Sequence, residues 1–186
     1  MQSHSKWTHF WRFQGDKVNA TSSKLRRDVG CGDSPRGNVN CDLYVKETPE
    51  MGGGRKIDPK KCPNFVRCDT YHLPFRSNTF DEVFSSHLME HMARPLQALS
   101  EMLRVSNYKV VFIVPHRMRR GFGDIFYPKF CKEHHKHIFN VKNLDHWLRK
   151  NGLIFDISIK KRAYPHSVLP VIQIPWDISV TIYKPY

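Results

Sequence analysis

The residues of this chain that could do chemistry fall into three groups. The first is Asp28-Val29-Gly30-Cys31-Gly32-Asp33, answered by Asp42 and, further along, by Asp69. A turn built on Gly30 and Gly32 lets backbone pass close to a ligand, because a Cβ there would clash or forbid a positive φ. An acidic side chain ending the next strand can accept from both hydroxyls of a ribose, as nucleoside sites on doubly wound sheets do. The second group is His87 and His116, each just beyond the carboxyl end of an expected strand. An imidazole in that position can act as a base near neutral pH. The third group looks like metal ligation. His87-Leu88-Met89-Glu90-His91 matches His-x-x-Glu-His, the inverted zinc-protease pattern. Cys131-Lys132-Glu133-His134-His135-Lys136-His137 is a ligand-rich run, with Cys62 and Cys68 as remote partners.

Neither metal pattern is assigned a metal at this level. Arg94-Pro95 opens a helix just after His91, so the five residues from His87 fall in a turn and do not share a helical face. Cys62 and Cys68 are spaced more widely than the usual gap of about two to four residues in zinc sites. The 131–137 run reads more simply as part of a solvated, basic insertion.

The elements that must position these groups alternate between strand and helix. Residues 24–29 should feed the glycine turn, although Arg26 and Arg27 suit a central strand badly, and a short or partly solvent-facing strand is expected. Residues 38–43 form the second strand. The link from Gly32 to Asp42 is too short for a full crossover helix, so that helix should shrink to a turn. Residues 46–61 are a Gly-, Pro- and charge-rich loop. Strands follow at 64–68 and 79–86, then a helix at 94–105 with Pro95 in its first turn and Leu96, Leu99, Met102 and Leu103 on one face. The continuous apolar run within 108–114 is a buried strand. Asn140 caps a helix that Gly152 stops, and strands at 153–159 and 178–183 close the sheet, joined by a loop broken by Pro165, Pro170 and Pro175. This pattern predicts an α/β domain over residues 24–186, with a mainly parallel sheet, preceded by an N-terminal extension over 1–23.

Composition bounds the partners. The 186 residues carry 30 Lys and Arg against 17 Asp and Glu, a formal charge of +13, and that excess favours a polyanion. The insertion at about 117–139 mixes Arg117, Arg119, Arg120, Lys129, Lys132 and Lys136 with Phe122, Phe126, Tyr127 and Phe130. Cations there could neutralise phosphates while aromatics stack on bases. A lid over a small molecule is the alternative. No apolar leader opens the chain and no apolar run is long enough to span a bilayer, so a cytoplasmic protein is expected. Five cysteines fit no disulfide framework and are read as reduced. Oligomeric state is left open.

Taken in order over about residues 25–155, these motifs resemble the class I S-adenosylmethionine-dependent methyltransferases, in particular their compact type 11 group. The carriers are Asp28-Val29-Gly30-Cys31-Gly32, Asp69-Thr70-Tyr71-His72-Leu73-Pro74-Phe75, Asn78-Thr79-Phe80-Asp81-Glu82-Val83, Ser85-Ser86-His87-Leu88-Met89-Glu90-His91, Glu101-Met102-Leu103-Arg104-Val105 and Val114-Pro115. The resemblance implies a Rossmann-like three-layer sandwich whose seven-stranded sheet has an antiparallel last strand. It also implies S-adenosylmethionine as cofactor. Asp28, Gly30, Cys31 and Gly32 would hold its methionine end, and Asp42, with Leu43 beside it, would take the ribose. Asp69 and Thr70 would lie at the adenine, with Tyr71 or Leu73 flanking the ring. Ser86 and His87 would stand beside the sulfonium and the acceptor, with His87 and His116 as candidate bases. The third glycine of the usual turn is absent. So is the Asn/Asp-Pro-Pro-Tyr/Phe motif that the family uses on exocyclic base nitrogens. Methyl transfer to RNA is the leading reading. A small-molecule methyltransferase and a catalytically weak binding module are the alternatives.

Overall fold

A computed structural model describes residues 24–45, 57–117, 135–166 and 169–185. The 1–23 extension, and Arg119, Arg120, Lys129, Cys131 and Lys132 of the insertion, lie outside the described residues. Seven strands form one sheet: β1 (Arg26–Val29), β2 (Val39–Asp42), β3 (Phe65–Arg67), β4 (Phe80–Ser86), β5 (Ser106–Pro115), β6 (Ile154–His166) and β7 (Leu169–Tyr183). Their order is β3-β2-β1-β4-β5-β7-β6. The first five run parallel, and β7 is antiparallel to both β5 and β6. The reversal of strand order beside β1 opens a crevice at the carboxyl ends of β1 and β4, where open α/β sheets bind ligands. The link between β1 and β2, residues 30–38, holds only turns, as its length requires.

Among the described residues, two helices line one face of the sheet: α1 (Pro95–Val105) and α2 (Val141–Lys150). Ala98, Leu99, Met102 and Val105 of α1 and Leu144 and Leu148 of α2 join one core with Val110, Phe112 and Val114 of β5 and Ile178, Val180 and Ile182 of β7. Asn140 caps α2, its side chain accepting from the Asn143 N–H at 2.8 Å. Gly152, at φ +66°, ends it in the left-handed conformation that glycine adopts without penalty.

Two expectations change. β1 is short, at four residues, as expected, but Arg27 does not face solvent: it is fully buried, as are Asp28 and Val29. Its guanidinium stacks 4.0 Å from the Phe75 ring centroid, and it donates to the Cys68 sulfur at 3.7 Å. The aromatic face and the soft sulfur stand where a carboxylate would be expected. The proline-broken loop is likewise absent. β6 and β7 run on as a long hairpin, pairing from Lys161 opposite Pro175 out to His166 opposite Leu169. Prolines are tolerated at bulges and irregular edges, and the register shifts at Lys160/Lys161 and between Tyr164 and His166 fall beside Pro175 and Pro165. Because β5 stops at Pro115, opposite Asp177, this arm projects past the carboxyl edge of the sheet.

The connection from β3 to β4 is held by side chains from α1. Arg104 makes a bidentate pair with Glu101 at 2.7 and 2.8 Å, and donates to the carbonyls of Phe75 and Leu73 at 2.7 and 2.8 Å. Glu101 in turn accepts from the Leu73 N–H at 2.9 Å. This clamp fixes the segment that begins at Asp69. Arg104 and the Leu73 N–H hold the Glu101 acid below its ordinary range, so the clamp stabilises above that range and its contribution is lost as pH falls through the lowered value. Arg104→Ala should cost about 1–2 kcal/mol in urea unfolding at neutral pH, and the difference from wild type should shrink below about pH 4. Identical unfolding midpoints at neutral pH would remove the clamp.

Candidate active site

The glycine turn is tied directly to the end of β2. Gly30 and Gly32 have φ of +69° and +54°. The Gly30 and Cys31 N–H groups both donate to the Cys41 carbonyl, at 2.8 and 3.0 Å. The Asp42 carboxylate accepts from the N–H of Gly32 at 3.1 Å and of Tyr44 at 3.0 Å. Two of about four lone-pair positions are thereby used, and the others stay open for a ligand. Behind the turn, the Asp28 carboxylate accepts from the Arg36 N–H at 2.8 Å. Gly37 then passes so close to β1 that a Cβ would lie 2.6 Å from the Asp28 nitrogen and 2.6 Å from the Val39 carbonyl. The sequence reading did not single out Gly37. Its only local signal is the Pro35-Arg36-Gly37 turn before a strand.

A cavity of about 820 Å³ opens at this edge, within the size range of small-molecule sites. Asp28, Gly30, Cys31, Gly32, Asp42 and Leu43 line one side of it, and Asp69, Thr70, Tyr71, Ser86 and His87 another. All eleven residues expected at the cofactor therefore face one space. Leu73 does not: it is buried in the core, leaving Tyr71 on the wall. The Tyr71 hydroxyl accepts from the Arg94 N–H at 3.0 Å, and the Arg94 guanidinium lies 4.8 Å from its ring centroid. Sequence reasoning did not place Asp33, Arg36, His91 or His135 at this cavity, which they also line.

Burial pushes the Asp28 acid up to about 6, against the Arg36 N–H and the neighbouring arginines, which favour the carboxylate. Burial also pushes the Cys31 thiol up; its sulfur lies 4.0 Å from that of Cys62. The four described cysteines are buried free thiols. Asp28, Asp33, Asp42 and Asp69 give the wall an acidic character suited to a cationic ligand.

His87 follows β4 at φ +56°, a strained conformation for a residue with a Cβ. Its N–H donates to the Ile113 carbonyl at 2.8 Å. Its Nδ1 lies 3.3 Å from Glu90 Oε1 and its Nε2 3.7 Å from Asp177 Oδ1. His116 is not among the described residues lining the cavity. Its N–H donates to the Trp176 carbonyl at 3.0 Å, and burial lowers its imidazole pKa. Lys136 lines the cavity, and Arg117 is exposed, its N–H donating to the Phe139 carbonyl at 3.0 Å.

Residues 41–114 match the family model of the methyltransferase domain. That match runs from β2 into β5. Among solved structures it is similar to a S-adenosylmethionine-dependent methyltransferase from Thermotoga maritima, with a TM-score of 0.64 at 14% identity over 88% of this chain and 83% of that one. Among curated proteins, it is 31% identical to the tRNA (carboxymethyluridine(34)-5-O)-methyltransferase of Schizosaccharomyces pombe, over 59% of this chain and 54% of that protein. It is also 31% identical to the demethylmenaquinone methyltransferase of Renibacterium salmoninarum, over 62% of this chain and 51% of that one. The chain therefore spans about half the length of these curated relatives. The family's cofactor, S-adenosylmethionine, fits the residues present. A Cβ at Gly32 would point into open space, Asp42 keeps unused lone pairs, and the acids suit a sulfonium and an ammonium.

Gly37→Ala tests the short link on which this wall depends. With backbone on both sides there is nothing flexible to yield, so a loss of about 1–3 kcal/mol is expected in chemical denaturation. An unchanged midpoint would show that residues 33–38 pack more loosely than described.

Proposed function

We propose that this protein is a S-adenosylmethionine-dependent methyltransferase acting on a nucleophile of RNA. The observation that carries the transferase reading is the convergence of residues from the carboxyl ends of β1, β2, β3 and β4 on one cavity. When bound, S-adenosylmethionine supplies a methyl already activated on a sulfonium, so the protein's task is alignment and exclusion of water. Asp42 accepts hydrogen bonds from the ribose hydroxyls, held in place by the Gly32 and Tyr44 N–H groups. Asp69 and Tyr71 meet the adenine, and Asp28 and the glycine turn meet the methionine end. His87, with Nδ1 against Glu90 and Nε2 facing Asp177, is the candidate base for an acceptor hydroxyl or ring nitrogen.

RNA is favoured over a small molecule by charge and its placement. Arg36 and Lys136 line the cavity, and Lys160 and Lys161 are exposed where the β6–β7 arm begins to pass the carboxyl edge. The S. pombe relative, a tRNA methyltransferase by name, supports the same choice. The R. salmoninarum relative, named for demethylmenaquinone, supports the small-molecule alternative. Transfer of labelled methyl to total RNA, protein and metabolite fractions decides between them. Label in RNA is expected, and label in metabolites alone would overturn the RNA assignment. Failure to bind S-adenosylhomocysteine would instead favour a binding module that keeps only the fold.

Two measurements test the residue roles. Asp42→Ala should weaken cofactor binding by about 1–3 kcal/mol in calorimetry, because a charged acceptor is lost; an unchanged dissociation constant would remove Asp42 from the ribose. Asp28 titrates near 6 when folded, above its ordinary 3.8. The free protein should therefore lose stability as pH rises between about 4 and 6. Binding of the cationic cofactor, which favours the carboxylate, should tighten as pH rises through about 6, and Asp28→Asn should flatten that profile. A wild-type profile already flat from pH 5 to about 7 would separate Asp28 from the cofactor's charge.

A further inference from the structure

The turn after β4 and the segment before α2 meet at a second cluster of ligating groups. Glu90 lies in the short helical turn Met89–His91, buried to 1% exposure. Its Oε1 faces His87 Nδ1 at 3.3 Å, while its Oε2 is buried without a hydrogen-bond partner among the described residues. A carboxylate oxygen withdrawn from water and left unpaired is costly, and such atoms in native proteins mark an ion or an ordered water. Two imidazoles stand at the same place. Ligand atoms of Glu90, His91 and His135 all lie within 4.8 Å of one another, and the two rings meet edge to face with centroids 4.9 Å apart. The approach is built by backbone: the N–H groups of Lys136 and His137 both donate to the Glu90 carbonyl, at 2.8 and 3.1 Å.

We propose that Glu90, His91 and His135 hold a divalent cation at the acceptor end of the cavity. Two imidazoles and one carboxylate suit Zn²⁺, and equally Co²⁺, Mn²⁺ or Fe²⁺. Three protein ligands leave a coordination position open, the arrangement of a site that takes a ligand and not of a structural one. That position faces the cavity, because His91 and His135 both line it next to His87. Glu90 Oε1 lies 3.3 Å from His87 Nδ1 and 4.0 Å from His91 Nε2, so His87 holds the carboxylate beside the imidazole ligand, a positioning role of the kind outer-shell groups play around metal sites. The zinc-protease pattern in the sequence therefore resolves differently from its namesake. His87 and His91 share no helix, and the second imidazole ligand comes from His135. If the transferase reading holds, the open position takes an acceptor oxygen, from a hydroxyl or a phosphate, and fixes it beside the methyl donor.

The test is metal binding by the full chain, without cofactor. Protein stripped with a chelator is titrated with Co²⁺, followed by its visible absorption, and with Zn²⁺ by competition. About one Co²⁺ per chain is expected, with a visible spectrum that Zn²⁺ abolishes. His135→Ala and His91→Ala should each weaken binding at least about tenfold, whereas His135→Cys, which keeps a ligand, should retain the metal. A saturable rise in melting temperature with Zn²⁺, absent in His135→Ala, reports the same event, and each variant's circular dichroism shows whether it has folded. No stoichiometric Co²⁺ uptake by wild type, or equal affinity in both folded alanine variants, would overturn the proposal. S-adenosylhomocysteine binding by the stripped protein is measured in parallel. Binding there without metal uptake rejects the cation alone, and metal uptake without it rejects the cofactor reading alone.

Discussion

The structure depends on how little chain joins β1 to β2. Adjacent parallel strands ordinarily need a crossover of a dozen or more residues, most often a helix. Here residues 30–38 must leave the sheet, reverse and return, so hydrogen bonds replace the packing a helix would have provided. The Cys41 carbonyl takes two N–H groups from the turn, Asp42 takes one from Gly32, and Asp28 takes one from Arg36. The same bonds that close the link aim the Asp42 carboxylate at the cavity. Architecture and ligand wall are one set of interactions, and the wall cannot relax without loosening the sheet.

The opposite wall is secured in another way. The segment from Asp69 to Phe75 has no regular structure of its own, and it is pinned from below by Arg104 and Glu101 and from the side by Arg27 against Phe75. A fully buried arginine without a carboxylate partner is unusual. Its surroundings explain it: the Phe75 ring face and the Cys68 sulfur receive the guanidinium, and a hydrogen bond from Cys68, with the guanidinium nearby, lowers the Cys41 thiol pKa. Both arginines thus hold a loop that carries ligand-facing residues.

The third wall stores strain. His87 keeps its left-handed backbone because the Ile113 carbonyl and the Glu90 carboxylate hold it there. That turn directs Ser86, His87 and His91 toward a common space, and the β6–β7 arm extends the same edge with basic residues. Asp28, Asp33, Asp42 and Asp69 line the cavity together with Arg36 and Lys136, so charges of both signs face the same space.

The alternation of strands and helices and the shortened first crossover were legible in the sequence because each rests on local information, and the motif series carried the eleven residues that line one cavity. A continuous apolar run, a count of residues too small for a helix, and a motif series at fixed spacing all act over short stretches of chain. The cap at Asn140 and the stop at Gly152 were readable for the same reason. What needed the tertiary structure was every contact set by residues distant in the chain. Arg27 looked misplaced until Phe75 and Cys68 were seen around it, the prolines at 165 and 175 looked like loop until β6 and β7 paired across them, and His91 and His135 looked like separate motifs. Sequence reports a residue's own preferences, whereas burial, stacking and ligand convergence depend on neighbours that only the closed sheet brings within a few ångströms.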